Sequence, residues 1–432
     1  MSHGQESSES YWLATAPTFT GGAQGPVAGE GEVDVAVIGG GFTGLSAAVA
    51  LRKRGASVAV LEAGRVIGEA SGRNGGHCNT GVAQDYASLR ASLGAERARA
   101  FYQAYADAVA SVEAVIAEEG IACDFHKAGK LKLAAKPQHY DNLARTCELI
   151  RAEVDPDVEL LGPEQARIEV ASDGFYGGLL QRNGAQMHMG RFGVGLAEAA
   201  VRRGAQVYEG AAVSDLQRLP DGSFRVVSAR GELRARQVLV ATGNASIGPF
   251  QWFRRRIASV GSFIIATAPL PKEQLDALLP NRRTYVTSRI IGNYFRTTPD
   301  HRLIFGGRAR FALSDPRQDA KSGAVLRNAL GQLFPSLARA PIDYCWGGLV
   351  DMTADRLPRA GEQDGLFYAM GYSGHGVQMS VHMGRVMAEV LEGRSQANPW
   401  RVLDWPAIPG HFGKPWFLPL VGLYYRVQDR LH

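Results

Sequence analysis

Val33-Asp34-Val35-Ala36-Val37-Ile38-Gly39-Gly40-Gly41-Phe42-Thr43-Gly44 opens a unit that closes on Glu62. It reads as strand, glycine turn and helix, with a second strand, Ser57-Val58-Ala59-Val60-Leu61, delivering the acid. In that pattern Gly39 permits a tight turn, Gly41 lets the backbone approach a pyrophosphate, and Gly44 lets the helix pack close to the strand. The first-turn amides then face the phosphates, where unsatisfied N–H groups and the helix dipole favour negative charge. Glu62 stands about 20 residues past the first glycine, the spacing of an acceptor for a ribose hydroxyl pair. A glycine string alone also fits a structural turn. The strand that brings Glu62 on time makes the dinucleotide reading the stronger.

The chain has 432 residues, which is long for one core and predicts two intertwined domains. Hydrophobic residues make up 45% and charged residues 21%, the balance of a soluble globular protein. The net charge of +5 is scattered, and the run Arg254-Arg255-Arg256 is short. It reads as a solvated face or a funnel for an anionic substrate, not as a nucleic-acid stripe. Cys78, Cys123, Cys147 and Cys345 lack metal or redox spacing, so a reducing cytoplasm is the expected compartment. Met1 to Ser10 is acidic and polar and shows no secretory pattern. Val35 to Leu51 is apolar enough to mimic a short span, but its glycines and its exit into Arg52-Lys53-Arg54 fit the dinucleotide unit better.

Working outward, residues 1–30 are rich in Gly, Ser and Pro and read as a loose arm. Helices are predicted over Tyr86–Glu119, Pro137–Ala152, Phe192–Arg203 and Val377–Leu391. Strands are predicted at Leu131–Ala134, Gln206–Glu209, Gln237–Val240 and Gly365–Met370, with a hairpin turning at Asp221-Gly222 between Val213–Leu219 and Ser223–Ala229. Residues 250–345 alternate strand-like runs, such as Ser262–Ala266 and Leu303–Gly306, with turns, and suit an antiparallel sheet. Nucleotide-type segments recur at the start, near 187–250 and near 345–395. A nicotinamide dehydrogenase completes its dinucleotide fold contiguously, so the late returns point to a flavin enzyme.

Further motifs fall in order: Ala70-Ser71-Gly72-Arg73-Asn74-Gly75-Gly76, Val240-Ala241-Thr242-Gly243, Leu303-Ile304-Phe305-Gly306-Gly307-Arg308, Trp346-Gly347-Gly348 with Asp355 and Pro358, and Gly371-Tyr372-Ser373-Gly374-His375-Gly376. With Gly39–Gly44 they cover residues 31 to about 395, and together they resemble the D-amino-acid oxidase superfamily of FAD-dependent amine oxidoreductases. The γ-glutamylputrescine oxidase-like and L-pipecolate oxidase-like branch is the nearest likeness. The resemblance implies an α/β fold with a Rossmann-like FAD-binding domain (31–85, 187–250 and 345–395). It adds a mixed, largely antiparallel substrate domain (86–186 and 251–344), flanked by the arm (1–30) and an aromatic tail (396–432). It implies that Gly39, Gly41, Phe42, Thr43, Gly44, Glu62 and Ala63 hold the ADP half of FAD, with Val213, Thr242 and Gly243 beside it. Ser71, Arg73, Asn74, Gly75 and Gly76 run along the flavin, Arg73 as a counter-charge to the pyrophosphate. Gly371, Gly374, His375, Gly376 and Val377 face the flavin's pyrimidine edge, where a helix end stabilises negative charge.

The implied reaction is oxidation of a C–N bond in a small amine or imino acid by hydride transfer to flavin, followed by imine hydrolysis. The cofactor carries the hard step and the protein positions and desolvates, so neither triad nor metal is expected. Candidate site residues are His77 as a base, Trp346 and Tyr372 as pocket walls, His375 at the flavin, and Gln378. Gln378 stands where relatives carry a carboxylate-binding lysine, and Arg308 is the cation that could substitute. The covalent cysteine of the sarcosine-oxidase side falls here on Gly348, with Cys345 three residues off, so FAD is expected to be non-covalent. The covalent histidine of related dehydrogenases aligns nearer Asn74 than His77. Ile304 replaces the oxygen-activating lysine, which leaves a quinone as an alternative to O2. Rival readings are a flavin monooxygenase, which would carry a late Gly-Asp motif where this chain has Gly371-Tyr372-Ser373-Gly374, and a non-catalytic flavoprotein. The tail Pro415–Arg426 is too short to span a bilayer and reads as packing on its own domain or a partner, with peripheral membrane contact at the cytoplasmic face as the alternative.

Overall fold

The structure, a computed structural model, describes residues 9–27, 32–243, 247–307, 314 and 316–431. A short helix α1 (Tyr11–Ala14) precedes β1 (Glu32–Ile38), α2 (Phe42–Lys53) and β2 (Val58–Leu61). Then come α3 (Ala70–Arg73), β3 (His77–Asn79), α4 (Tyr86–Leu93), α5 (Ala95–Glu119), β4 (Lys130–Leu133), α6 (Pro137–Glu153), β5 (Glu159–Leu161), α7 (Pro163–Glu169), β6 (Gly178–Gln181) and β7 (Gly184–Gln186). The middle holds α8 (Met189–Arg202), β8 (Gln206–Tyr208), β9 (Val213–Arg218), β10 (Phe224–Ser228), β11 (Gly231–Val240), α9 (Gln251–Arg254), β12 (Ala258–Thr267), α10 (Lys272–Leu278), β13 (Thr284–Thr287), β14 (Asn293–Thr297) and β15 (Leu303–Gly307). The chain ends through α11 (Pro316–Leu333), β16 (Ile342–Met352), β17 (Arg359–Gln363), β18 (Leu366–Met370), α12 (Gly376–Leu391) and α13 (Leu418–Leu431).

The first sheet runs β17-β18-β11-β1-β2-β8, with the β9–β10 hairpin paired onto β11. β1 is parallel to both β2 and β11, and β18 is parallel to β11. Val35 to Ile38 are all buried, because a central parallel strand is covered on both faces. α2 packs on α12 and α8. Its last turn carries Arg52 and Lys53, which suit the negative end of the helix dipole.

The second sheet runs β16-β12-β15-β14-β13-β4-β6-β5. It is antiparallel except where β13 pairs β4. Side chains alternate between its faces. Cys345, Ile265, Phe305, Phe295, Tyr285 and Leu131 pack with Leu326 and Leu330 of α11. The opposite face turns toward the first domain, and its Trp346, Ile264 and Ile304 join the core that also contains residues of α2, α5 and α12.

The structure departs from the expected organisation in several places. The predicted helix Tyr86–Glu119 breaks at Gly94, whose φ of 83° lies outside the helical region. The expected loose arm contains α1, where Tyr11 and Trp12 are buried, because two large aromatics gain more from the core than from water. The stretch from 345 on, assigned to the nucleotide segments, begins inside β16, which pairs with β12 in the second sheet; the chain rejoins the first sheet only at β17. α13 packs Leu418 against Val260 and accepts the Ile290 and Ile291 amides on the Asp429 carboxylate, both at 2.9 Å. Its Leu420, Leu423, Tyr424 and Val427 are exposed. Among the described residues no helix is long and apolar enough to cross a membrane.

Candidate active site

The glycine turn is set by close backbone approach. A Cβ on Gly44 would lie 2.0 Å from the Gly39 carbonyl oxygen, and one on Gly39 would lie 2.6 Å from that of Ala241. These contacts lock α2 to the ends of β1 and β11 and bring Thr242 and Gly243 beside the turn. Glu62 accepts the Gly40 amide at 2.6 Å and the Gly64 amide at 2.8 Å. Burial raises its carboxyl above the ordinary range, and the two amide bonds oppose that shift. Ala63 is exposed just beyond it, and Val213 is buried at the start of β9. Ser71 Oγ accepts the Phe42 amide at 3.0 Å, while the Phe42 ring packs edge-on against Phe192.

The segment leading into α12 is tied to α2 as well. Tyr372 and Thr43 share a hydroxyl hydrogen bond of 2.8 Å, and a Cβ on Gly384 would sit 2.5 Å from the Thr43 carbonyl oxygen. The start of α2 therefore packs against the middle of the 16-residue α12, with Tyr372, just ahead of α12, reaching back to it; each helix start is by itself a surrounding that favours anions. Tyr372, expected as a pocket wall, is bonded to the nucleotide helix. Gly371 lies between β18 and α12, and Val377 is buried in the first turn of α12.

The 70–76 segment is fastened from three sides. Asn74 Oδ1 accepts the Gly76 amide at 2.8 Å, and Asn74 Nδ2 donates to the Ser71 carbonyl at 2.8 Å. Trp12 Nε1 donates to the Asn74 carbonyl at 2.6 Å, and Trp346 Nε1 to that of Arg73 at 3.0 Å. Arg73 Nε donates to the Gly347 carbonyl at 2.6 Å, which ties the segment to β16. A Cβ on Gly75 would lie 2.5 Å from the Tyr294 ring, which leaves room only for glycine beneath that tyrosine.

His77 opens β3, with its ring edge-on to Tyr294 at 5.3 Å. Its Nε2 is buried and unpartnered, as is His375 Nδ1. Burial, then the charges of Arg296 and Lys130, push His77 down to about 3. Burial, then Lys130, Arg356 and Lys132, push His375 to about 3 as well. Burial and the neighbouring cations oppose the base role expected of His77, because they favour the neutral imidazole. Both rings stay neutral and keep a free nitrogen. Gln378 donates to the Asn79 carbonyl at 2.6 Å and ties α12 to β3. Ile304 is fully buried on the sheet's inward face. Cys345 is on the opposite face, its Sγ 3.4 Å from the Asp319 carbonyl oxygen, which keeps it away from the flavin segment. Arg308 lies outside the described residues.

Three cations of the inward face escaped sequence reasoning. Arg296 is fully buried and donates to the Gly76 carbonyl at 2.6 Å and the Met187 carbonyl at 2.9 Å; burial lowers it to about 9. Lys130 and Lys132 stand on β4. The alternation Lys130-Leu131-Lys132-Leu133 reads as an ordinary strand with a wet face, and only the sheet order turns that face inward.

These residues fit FAD. Glu62, the Gly39–Gly44 turn and the start of α2 suit the ADP half of a dinucleotide, and the start of α12 offers a second set of free amides. Gly374, just ahead of α12, is exposed and a Cβ there would meet nothing within 4 Å, so the helix start is open to a ligand.

Residues 34–390 match the family described as DAO, FAD dependent oxidoreductase. The chain is 32% identical over 404 residues to gamma-glutamylputrescine oxidoreductase of Escherichia coli K12, covering 92% of this chain and 93% of that one. The glycine oxidase structure from Geobacillus kaustophilus superposes with a TM-score of 0.71 at 24% identity, over 88% of this chain and 98% of that one. The L-proline dehydrogenase structure from P. horikoshii gives 0.68 at 19% identity, over 90% and 98%. At these identities the two structures speak for the fold alone.

Proposed function

This chain belongs to the DAO family of FAD-dependent oxidoreductases, and from that premise we propose that it oxidises the C–N bond of an amine or imino acid of the γ-glutamylputrescine or pipecolate kind. FAD, when bound, supplies the two-electron acceptor. In this reading Glu62 and the glycine turn hold the ADP half, and the amides of Gly374-His375-Gly376 set a positive helix end against a ring that gains negative charge. Asn74, Trp12 and Trp346 hold the Ser71–Gly76 backbone still beside that ring. His77 and His375, neutral at physiological pH, leave an approaching amine unrepelled and offer it hydrogen-bonding nitrogens. Tyr294, Ile304 and Trp346 line the inward face with apolar surface and exclude water.

The observation that carries this reading is the pair of buried, unpartnered imidazole nitrogens between the start of α12 and the inward sheet face. The test is anaerobic: holoenzyme is mixed with a panel of amines and imino acids, γ-glutamylputrescine and pipecolate among them, and flavin absorbance is followed. Bleaching by a member of the panel is expected, and none across the panel would overturn the proposal. The buried, apolar Ile304 favours an acceptor other than oxygen. On that reading reduced enzyme reoxidises faster with a soluble quinone than with air.

A further inference from the structure

Two lysines of β4 lie on the face that looks toward the candidate site. Pairing across the sheet sets one row, from Trp346 through Ile264, Gly306, Tyr294 and Val286 to Lys132. Lys130 stands two residues before Lys132 and so shares its face, opposite Thr284 and Gln181. Leu131 and Leu133, one residue out of phase, fill the core on the other side.

Among the described residues, neither ammonium is neutralised by a carboxylate bond. Lys130 Nζ donates to the Thr80 carbonyl at 3.2 Å and lies beside Gly81 and the Gln181 amide. The Lys132 ammonium makes no hydrogen bond or ion pair among the described residues. Asp85 is the acid whose charge acts on it, but that carboxylate accepts the Ser88 amide and the Thr146 hydroxyl. Arg356 adds a third positive charge near both Lys132 and His375. Both side chains are half-buried, and an amino group partly withdrawn from water without a counter-charge carries a cost. The cost falls when a ligand brings the anion. One strand, β13, separates Lys132 from Tyr294, two inter-strand steps or about 10 Å at ordinary strand spacing.

We propose that Lys130 and Lys132 form a cationic subsite for a carboxylate carried by the substrate at a distance from the oxidised C–N bond. The amide of Gln378 is committed to Asn79, so the cation that a carboxylate needs comes from β4 and not from α12. Which end of the ligand reacts rests on the amine-oxidation reading; the carboxylate contact does not.

The test is anaerobic titration of the holoenzyme with 5-aminopentanoate, its amide 5-aminopentanamide, and the isomer norvaline, read by bound-flavin absorbance and by thermal midpoint. The acid binds at least about tenfold more tightly than the amide, as expected of a charge-assisted pair, and more tightly than norvaline. In Lys132→Gln and in Lys130→Gln, each carrying its full complement of flavin, that preference shrinks while amide binding is retained. Equal or absent binding of acid and amide by the unaltered enzyme overturns the subsite, and that comparison needs no variant to fold. A preference that survives both substitutions overturns it too. Norvaline binding as tightly as 5-aminopentanoate overturns the distal placement. A flavin that no amine bleaches removes the oxidation reading while leaving the binding comparison intact, so the two failures are distinguishable.

Discussion

Single residues at this site are defined by what they lack as much as by what they touch. Glu62 holds two backbone amides and keeps lone pairs for a ribose. Glu62→Ala therefore loses both the turn's brace and the ribose acceptor. Charge-assisted bonds of this kind contribute about 1.5–3 kcal/mol each, so FAD affinity should fall roughly tenfold or more, read by fluorescence titration of apoprotein. An unchanged affinity would remove Glu62 from the cofactor site. The glycine turn and this acid were legible because each has a backbone reason to be where it is. The sequence cannot say which carbonyl an amide or guanidinium will find; those that Gln378 and Arg73 reach come from β3 and β16, distant along the chain.

At the level of elements, the site depends on pieces that do not belong to it. α1 is four residues long, too short to be stable alone. It persists because Trp12 is wholly buried, donates to Asn74, and packs under the Arg296 guanidinium at 5.0 Å. Trp12→Ala should cost about 3–5 kcal/mol, seen as a lower thermal midpoint together with weaker flavin retention. A loss of stability with no change in flavin retention would confine α1 to a packing role. α13 is fastened through Asp429 to the Ile290 and Ile291 amides. Asp429→Ala should free that end of the helix, at about 1–3 kcal/mol, and speed proteolysis between residues 288 and 292. Unaltered cleavage there would show that the packing of Leu418, Val421 and Tyr425 and the Lys136 bond secure the helix without the Asp429 carboxylate.

For the whole molecule, the buried histidines set a pH signature. His77 and His375 remain neutral in the folded protein down to about 3, whereas an unfolded histidine protonates near 6.5. Between those values the unfolded chain binds more protons, so stability rises with pH across that window and is lost as acid is added. The urea midpoint should drop from pH 7 to pH 5, and drop less in His77→Asn. An equal drop in the variant would show that His77 charges freely. Lys130 behaves in the same sense at higher pH: burial lowers it to about 7, and stability gains as pH rises from there toward the ordinary lysine range. The sequence by itself determined the dinucleotide unit, the family and the flavin, because turn chemistry, helix starts and strand periodicity are local, and each leaves its mark within a few residues. Which lysines look inward, which histidines stay uncharged and which amides are already spent were decided only by the tertiary structure. Those properties depend on burial and on partners from remote strands, and a period-two strand carries no sign of which of its faces will meet another domain.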